Sequence, residues 1–347
     1  MDRDRIRAFM ARFEELASGA TTIGALVIAD RSGLLSAMAG RGEVTVDELA
    51  GDRFSPRYVE EILATLAAAG IVEYRTGEGT YALPDEHAAC LTDPTSPYLL
   101  AGWFDALPAA FASIDEVVEA TKNGGGVPLD AFDERIVAGI DRLTSPGIRI
   151  LLARRWLAAM PDVVTKLEAG GRVADVGCGS GAAATTMAKA FPKSTVIGFD
   201  VDPRAIARAQ QQAAAVGLSN LAFEQVSGEE MPLGFDLVTT FDVIHDLPHP
   251  QRVLARIREA IKPDGTYLLM EPAVSPRLEE NFNPHGALIY GFSLLYCLPQ
   301  ALANGGAGLG AAWGPVKAEE LCREVGFSSF ERLQIDNPYS NFFRLAP

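Results

Sequence analysis

The sequence predicts an α/β domain, a parallel sheet with helices on both faces, preceded by a mostly helical domain. The first observation is the order strand, glycine turn and helix over residues 172–190, centred on the stretch Asp175–Gly181 (DVGCGSG). The second is a series of short apolar strands that alternate with helical stretches further along the chain, the pattern of a parallel sheet. The third is a helix, helix, hairpin order in the first 90 residues, which is typical of a winged helix.

Length, charge and cysteine content limit the function classes. The chain has 347 residues, of which 48% are hydrophobic, enough for two domains with their own cores. Its 45 acidic residues outnumber 30 basic ones, and an acidic chain is poorly suited to the phosphate backbone of nucleic acids. We expect no segment long and apolar enough to span a bilayer, no signal peptide, and four reduced cysteines. These features predict a cytoplasmic protein without nucleic-acid or membrane partners.

The first 38 residues predict two helices with apolar faces. Residues 5–17 place their apolar side chains on one helical face, and residues 24–38 form a second apolar helix that is interrupted near Gly33. An apolar helix at this point of a soluble chain must be covered by other protein. A partner subunit is as good a candidate for this cover as the chain's own core, so we expect a homodimer.

Residues 45–83 carry the signals of two helices and a hairpin. A capping box at Thr45 begins the first helix, Pro56 begins the second, and strands at 71–74 and 80–83 flank a glycine turn. A winged helix can read DNA through its second helix, but basic character is the electrostatic footprint of such binding. This helix has the acids Glu60 and Glu61 and little base beyond Arg57. We therefore favour dimerisation over DNA binding as its role.

Residues 91–165 predict a helical connector. Prolines and a run of three glycines divide the stretch into several helices, including residues 133–140 and 148–157. Most arginines of the connector would be solvated or paired with acids. An arginine at the mouth of a site can clamp a substrate carboxylate in a bidentate pair, and we assign this role to Arg149.

The glycine turn predicts a ligand site. Three glycines at alternate positions let the backbone turn tightly and approach a ligand, and the following helix offers free N–H groups. Asp175, at the end of the strand, would repel a pyrophosphate but can hold a cationic ligand. Asp200 ends the next strand, where an acid can accept hydrogen bonds from both hydroxyls of a ribose.

Polar side chains recur where the later strands end. Residues 221–226, 235–240 and 266–270 are the predicted third, fourth and fifth strands. In open α/β sheets, ligands bind at the carboxyl ends of the strands. The residues predicted at this edge are Asp175, Asp200, Ser227, Phe241, Asp242, His245 and Glu271.

The pattern Asp-x-Gly-x-Gly-x-Gly, followed by an acid that ends the next strand, resembles the S-adenosylmethionine (SAM) site of class I methyltransferases. The likeness extends through residues 235–238 and 261–266, which resemble the fourth and fifth strands of that family, whereas a nicotinamide site usually shows Gly-x-Gly-x-x-Gly. The resemblance implies a Rossmann-like class I methyltransferase sheet. It also implies the cofactor-binding residues Asp175, Gly177, Gly179, Gly181, Asp200, Ser227, Gly228, Phe241 and Asp242.

The whole chain is similar to an actinobacterial group of two-domain SAM-dependent methyltransferases, which share their layout with plant-type O-methyltransferases. The matching signs are His245-Asp246 after the fourth strand and a glycine-rich segment that ends at Gly310. The resemblance implies a homodimer that methylates a small molecule at carbon or oxygen, such as a 2-oxo acid or a phenolic natural-product precursor of secondary metabolism. The alternative is a SAM-responsive winged-helix transcriptional regulator.

His245 has two interpretations, with Asp246 beside it in the catalytic site. As a base it would take a proton from the substrate, because its pKa lies near the operating pH. As a metal ligand it would pair with His285, in a predicted lid over residues 275–313, or with His249 as the less favoured partner. The ion would stabilise an enolate, as in certain 2-oxo acid C-methyltransferases. His285 has no evident structural need in the lid, which favours the metal. The predicted domains are residues 1–90, the connector 91–165, and 166–347, which bind SAM and include the lid.

Overall fold

The computed structural model describes residues 1–347, which form two compact units. The N-terminal unit comprises residues 1–106 and 138–146, and the C-terminal unit comprises residues 107–137 and 147–347. The predicted connector, 91–165, is therefore divided between the two units.

The N-terminal unit is mostly helical, with one small hairpin. Its hairpin consists of β1 (Glu73–Arg75) and β2 (Thr80–Ala82), which pair antiparallel. The helices that lie wholly within it are α1 (Arg3–Ser32), α2 (Leu34–Met38), α3 (Val46–Ala50), α4 (Pro56–Ala68) and α5 (Asp85–Leu91). The helix, helix, hairpin order predicted for residues 45–83 is present. A single antiparallel bridge pairs Val44 with Tyr81 of the hairpin.

Helix α1 corrects the prediction of two separate N-terminal helices. It runs unbroken for 30 residues and ends at Gly33, whose left-handed φ of 81° permits the turn into α2. No proline interrupts the expected gap, and Thr21 donates its hydroxyl to the carbonyl of Ala17, so its side chain is satisfied inside the helix. The first 21 residues are all exposed, and they carry the apolar side chains Ile6, Phe9, Met10, Phe13 and Leu16.

The rest of the N-terminal unit packs around the inner face of α4. Thr45 and Glu48 form the predicted capping box at the start of α3. Leu63 and Leu66 of α4 are about 1% exposed and belong to one core with Leu35 of α2. Helix α4 has a polar outer face, so its apolar stripe lies on one side only.

Helix α8 (Arg135–Leu151) corrects the prediction of separate helices at 133–140 and 148–157. It continues through Pro146, and a π-helical turn over residues 152–156 prolongs it. A proline removes one backbone donor from a helix, but tertiary packing can outweigh that loss. Arg142 supplies such an anchor, since it donates to both carboxylate oxygens of Asp30 at 2.8 Å and to Asp105 at 3.0 Å.

The C-terminal unit is built on a seven-stranded sheet in the order β5-β4-β3-β6-β7-β9-β8. The first five strands in this order are parallel, and β9 runs antiparallel to both of its neighbours. The strands are β3 (Arg172–Val176), β4 (Thr195–Asp200), β5 (Leu221–Gln225), β6 (Phe235–Phe241), β7 (Ile261–Pro272), β8 (Ser329–Arg332) and β9 (Ser340–Ala346). This topology confirms the predicted α/β sheet.

Helices cover both faces of the sheet. The adjacent residues Leu237 and Val238 of β6 are both fully buried and belong to separate cores, as expected for a strand covered on both sides. The remaining helices are α6 (Trp103–Ala112), α7 (Ile114–Asn123), α9 (Pro161–Ala169), α10 (Ala182–Ala190), α11 (Pro203–Val216), α12 (Pro250–Ala260), α13 (Pro284–Phe292), α14 (Leu298–Leu302) and α15 (Gly314–Glu324). Because the parallel strands end at one edge, the residues after β3, β4, β6 and β7 come together there.

The lid segment, which we define as residues 275–313, is mostly helical. Helices α13 and α14 are joined by a π-helical turn over residues 293–297. By length and composition alone, the helical stretch Pro284–Gly305 could cross a membrane, which corrects the expectation that no segment is long and apolar enough. Half of its most apolar window is buried inside the fold, as in the core helix of a soluble protein.

We predict that Gly139→Ala destabilises the N-terminal unit. A Cβ on Gly139 of α8 would lie 2.6 Å from the backbone nitrogen of Ala106 in α6, and overpacking of this kind costs about 1–3 kcal/mol. Thermal unfolding followed by calorimetry should show a lowered midpoint. Gly19→Ala is the matched control, since a Cβ there meets no atom within 4 Å. Equal midpoints for both variants would contradict the close helix crossing.

Candidate functional site

At two of the three glycines in the turn after β3, a neighbouring side chain leaves no room for a Cβ. Gly177 has a φ of 69°, and a Cβ on it would lie 2.6 Å from Val243. Gly181 has a φ of 84°, and a Cβ there would lie 2.3 Å from the ring of Phe223. These contacts hold the turn against the segment after β6 on one side and against β5 on the other.

The middle glycine borders open space. Gly179 also has a left-handed φ, 53°, but a Cβ on it would meet no atom within 4 Å. Its backbone N–H donates to the carboxylate of Asp200 at 2.9 Å, and α10 begins just after the turn, at Ala182. The turn is therefore an open cradle of backbone groups beside a helix N-terminus, a setting suited to a polar ligand.

Asp175 supports the turn from within the fold. It is 2% exposed, and its two oxygens accept hydrogen bonds from Thr239 at 2.8 Å and from the backbone nitrogen of Ala184 at 3.2 Å. Burial raises the pKa of Asp175 to about 7. The side chain thus ties β3 to β6 and to α10, which differs from the expectation that it faces a cationic ligand.

Asp200 lies at the end of β4, as predicted, and faces the turn. Its Oδ2 accepts from Gly179 and its Oδ1 accepts from the backbone nitrogen of Asp202, both at 2.9 Å. Burial raises the pKa of Asp200, while these hydrogen bonds act to lower it. Each carboxylate oxygen can accept a further hydrogen bond, so the side chain retains capacity for two hydroxyl groups.

The other predicted cofactor residues follow β5 or end β6, at the carboxyl edge of the sheet. Ser227 accepts from the backbone nitrogen of Glu229 at 3.2 Å, and a Cβ on Gly228 would lie 2.9 Å from Val253. Phe241 ends β6 and packs near Trp156, with ring centroids 5.9 Å apart. Ser227 and Phe241 are half-buried, so each keeps some accessible surface.

His245 is held by Glu271 at the same edge of the sheet. His245 is 3% exposed, and its Nδ1 lies 2.5 Å from Oε2 of Glu271, at the end of β7. Glu271 also accepts from the backbone nitrogen of Ile244 at 3.1 Å and from the indole of Trp313 at 3.1 Å. A carboxylate in this position fixes the tautomer in which Nδ1 carries the proton. Nε2 is then the nitrogen that can accept a proton.

Acids and a thiol surround Nε2 of His245. Asp246 Oδ1 lies 3.3 Å away and has no hydrogen-bond partner. Cys297 and Gln300 of the lid segment hydrogen bond to the Asp246 carboxylate. Burial acts to lower the pKa of His245, but the charges of Asp246 and Glu271 outweigh it and raise that pKa well above 6.5. Burial raises the pKa of the Cys297 thiol to about 12, so this group is neutral.

The residues near His245 differ from the predicted metal pair. His245, Asp246 and Cys297 place potential ligand atoms within 4.8 Å of one another, and His285 is not in this group. The ring of His285 instead packs near Tyr339, at 5.6 Å between centroids, with a buried Nε2 that has no partner. Arg149 is exposed on α8 and forms no ion pair within the chain. The metal pair and the role of Arg149 stay predictions.

Three contributors to the site were not assigned from the sequence. The sequence predicts Glu271 at a strand end without a role, although an acid at the end of the fifth strand indicates a role in the site. Cys297 and Trp313 lie in the predicted lid, and both read as ordinary core residues. Only the fold shows that they touch the groups around His245.

Two family models match the chain, one for each kind of domain. Residues 167–298 match a methyltransferase domain, and residues 20–93 match an Rv2258c-like winged HTH domain. The first match contains the glycine turn, Asp200 and the His245–Glu271 pair. The second contains α3, α4 and the β1–β2 hairpin.

Known proteins resemble parts or all of the chain. A trans-aconitate 2-methyltransferase of Deinococcus radiodurans is 36% identical over 102 residues, which cover 29% of this chain and only 38% of that protein. Mitomycin 7-O-methyltransferase MmcR matches over 100% of both chains, with a TM-score of 0.71 and 18% identity. Human N-acetylserotonin methyltransferase, solved in complex with SAM, matches over 97% of both, with a TM-score of 0.67 and 19% identity. The structural likenesses show a shared fold. The chain therefore carries an Rv2258c-like winged helix-turn-helix domain followed by a methyltransferase domain, and it shares the fold of these methyltransferase structures.

Proposed function

We propose that this protein is a SAM-dependent methyltransferase that acts on a small molecule, with His245 as the proton acceptor. The observation that carries the proposal is the placement of an open glycine cradle and an oriented, buried histidine at one edge of the same sheet. A cradle alone would fit many nucleotide ligands. A histidine with a fixed tautomer beside it adds the group that an acceptor hydroxyl or carbon acid requires.

The residues present fit SAM as the cofactor. Gly179 leaves room that a side chain would fill, and the neighbouring helix N-terminus offers backbone donors. Asp200 can accept the two ribose hydroxyls, and Ser227, Gly228 and Phe241 border the same region. When bound, SAM supplies a methyl group on a positively charged sulfur, which is already a good leaving group. The chain's own contribution is then alignment and proton removal.

The geometry around His245 supports the base. Because Glu271 accepts from Nδ1, Nε2 presents its lone pair, and the nearby charges stabilise the imidazolium that forms when it takes a proton. The thiol of Cys297 and the amide of Gln300 hold Asp246 in place. A metal ion would compete with the proton for the same Nε2.

The acceptor class is a further part of the proposal. Methylation at oxygen or carbon fits a histidine base, and phenols and enolised 2-oxo acids both have to lose a proton. One of the structurally similar proteins is a mitomycin 7-O-methyltransferase, which favours an oxygen acceptor. Such an acceptor fits a role in secondary metabolism.

We further propose that the enzyme is a cytoplasmic homodimer without nucleic-acid or membrane partners. The exposed apolar side chains of α1 need cover, and a second copy of the chain offers an equal apolar face. Arg57 of α4, the second helix of the winged domain, already pairs with Glu60 and Glu61. This pairing leaves that helix without a free cation for phosphate, so the transcriptional regulator is the weaker alternative.

We predict that Gly179→Val abolishes binding of S-adenosylhomocysteine (SAH), because its side chain fills the open space of the cradle. Asp200→Asn should weaken binding by about tenfold or more, since charge-assisted hydrogen bonds contribute roughly 1.5–3 kcal/mol. Isothermal titration calorimetry measures both. Glu320→Gln, an exposed acid on α15, serves as the control. Unchanged affinity in both site variants would refute the cofactor assignment.

We predict that His245→Gln lowers turnover by about 10²–10⁴-fold while SAH affinity is retained. Transfer of labelled methyl from SAM, tested against a panel of phenols and 2-oxo acids, measures the rate. Full activity after dialysis against EDTA is expected for a base. Loss of activity on chelation, with recovery on adding a divalent ion, would instead favour the metal interpretation.

We predict that Glu271→Gln shifts the rise of turnover with pH to lower pH. The charge of Glu271 raises the pKa of His245, and a base is active only above its pKa. Loss of that charge lowers the pKa, so the neutral, active imidazole is populated at a lower pH. The pH profile of kcat measures the shift, with Glu320→Gln as a control that should not move it. An unchanged profile would show that Glu271 does not affect the pKa of the proton acceptor.

We predict that the double variant Phe9→Asp, Phe13→Asp is monomeric. Both side chains are more than 60% exposed on α1, and charge in a buried dimer contact is costly. Light scattering after size-exclusion chromatography measures the mass. Leu233→Asp, at an exposed apolar residue of the C-terminal unit, should leave the dimer intact. A monomeric unmodified protein would overturn the dimer proposal.

A further inference from the structure

Asp242 lies between the glycine cradle and the histidine pair. The residue after it, Val243, packs onto Gly177 of the cradle. Its own backbone nitrogen donates to the carbonyl of Met270 at 3.0 Å, next to Glu271. Asp242 thus occupies the position between the groups that would hold a methyl donor and the group that would accept a proton.

The backbone of Asp242 is strained. Its φ is 55°, and only one other non-glycine residue of the chain, Asn304, has a positive φ. Such conformations are energetically unfavourable and persist only where the surrounding structure imposes them. Here the backbone nitrogen of Asp242 is held by Met270, and Val243 is packed onto Gly177.

The carboxylate of Asp242 lacks a positively charged partner of its own. Its Oδ1 is buried and has no hydrogen-bond partner. The charged groups that act on it are Glu271, Asp246 and His245, of which two are acids and the third is already held by Glu271. No lysine or arginine is among them. A buried carboxylate of this kind is stabilised only when a cation or a donor is brought in.

We propose that Asp242 is the counter-charge for the sulfonium of SAM and makes the site prefer the charged methyl donor to its neutral product. The inference rests on the proposed function and assigns one residue of that site. The preference has a consequence for turnover. After transfer the sulfur is neutral, and Asp242 loses the positive charge that offset its burial, so product is held less firmly than substrate.

The test compares ligands that differ at the sulfur position. Calorimetry gives the affinities of SAM, SAH and sinefungin, an analogue with a cationic amine in that region, for the unmodified protein and for Asp242→Asn. Asparagine tolerates a left-handed φ well, so this change removes charge and keeps the backbone. We expect the SAM-to-SAH and sinefungin-to-SAH affinity ratios to fall by about tenfold, as loss of one partly screened charge pair predicts.

Asp200→Asn is the matched control. Asp200 faces the ribose, which all three ligands share, so its loss should weaken all three equally and leave the ratios unchanged. Asp242→Gly relieves the strained φ while removing the carboxylate, and it replaces the asparagine variant if that variant fails to fold in a thermal melt.

Three results would overturn the inference, and they are distinguishable. Unchanged ratios in Asp242→Asn would show that the carboxylate does not sense the sulfur charge. Equal weakening of all three ligands would place it on a shared group, such as the amino acid end. If none of the ligands binds the unmodified protein, the proposed function fails as well.

Discussion

The hydrogen bonds to Glu271 set the geometry of the candidate site. Its two oxygens accept from His245, from the backbone of Ile244 and from the indole of Trp313. The three donors come from different parts of the chain, the turn after β6 and the end of the lid segment. One carboxylate at the end of β7 therefore fixes the histidine tautomer, the backbone beside it and the lid at once.

The edge of the sheet collects more acid than base. Asp175, Asp200, Asp242, Asp246 and Glu271 all lie there, and burial raises the pKa of the first four. These acids differ in their hydrogen-bond partners. Asp175 accepts hydrogen bonds from Thr239 and from the backbone of Ala184, Asp200 accepts from two backbone nitrogens, and Glu271 accepts from three donors. Asp242 and Asp246 keep an oxygen without a partner, so the negative potential is concentrated where a cationic methyl donor would lie.

The sequence predicted the frame of the site better than its contacts. Glycine spacing and strand-end acids are local signals, so the turn, Asp200 and the position of His245 followed from them. The unbroken α1 and α8 were missed because propensity and proline rules are local, whereas burial and the Arg142 ion pairs are tertiary. The contacts of Glu271, Cys297 and Trp313 could not be predicted from the sequence for the same reason. Residues 26 to 52 positions apart in the chain meet only once the sheet and lid are folded.

The lid segment is joined to the histidine turn by its backbone as well as by side chains. The nitrogen of Gly310 donates to the carbonyl of His245 at 3.2 Å, and that of Ala307 donates to the carbonyl of Pro248 at 2.8 Å. A Cβ on Gly306 would lie 2.7 Å from Pro248, so the two segments are in close contact. Movement of the lid would break these bonds together with the Trp313–Glu271 bond. The lid segment and the turn that carries His245 are therefore held together by backbone bonds, by the Trp313–Glu271 bond and by the close contact at Gly306.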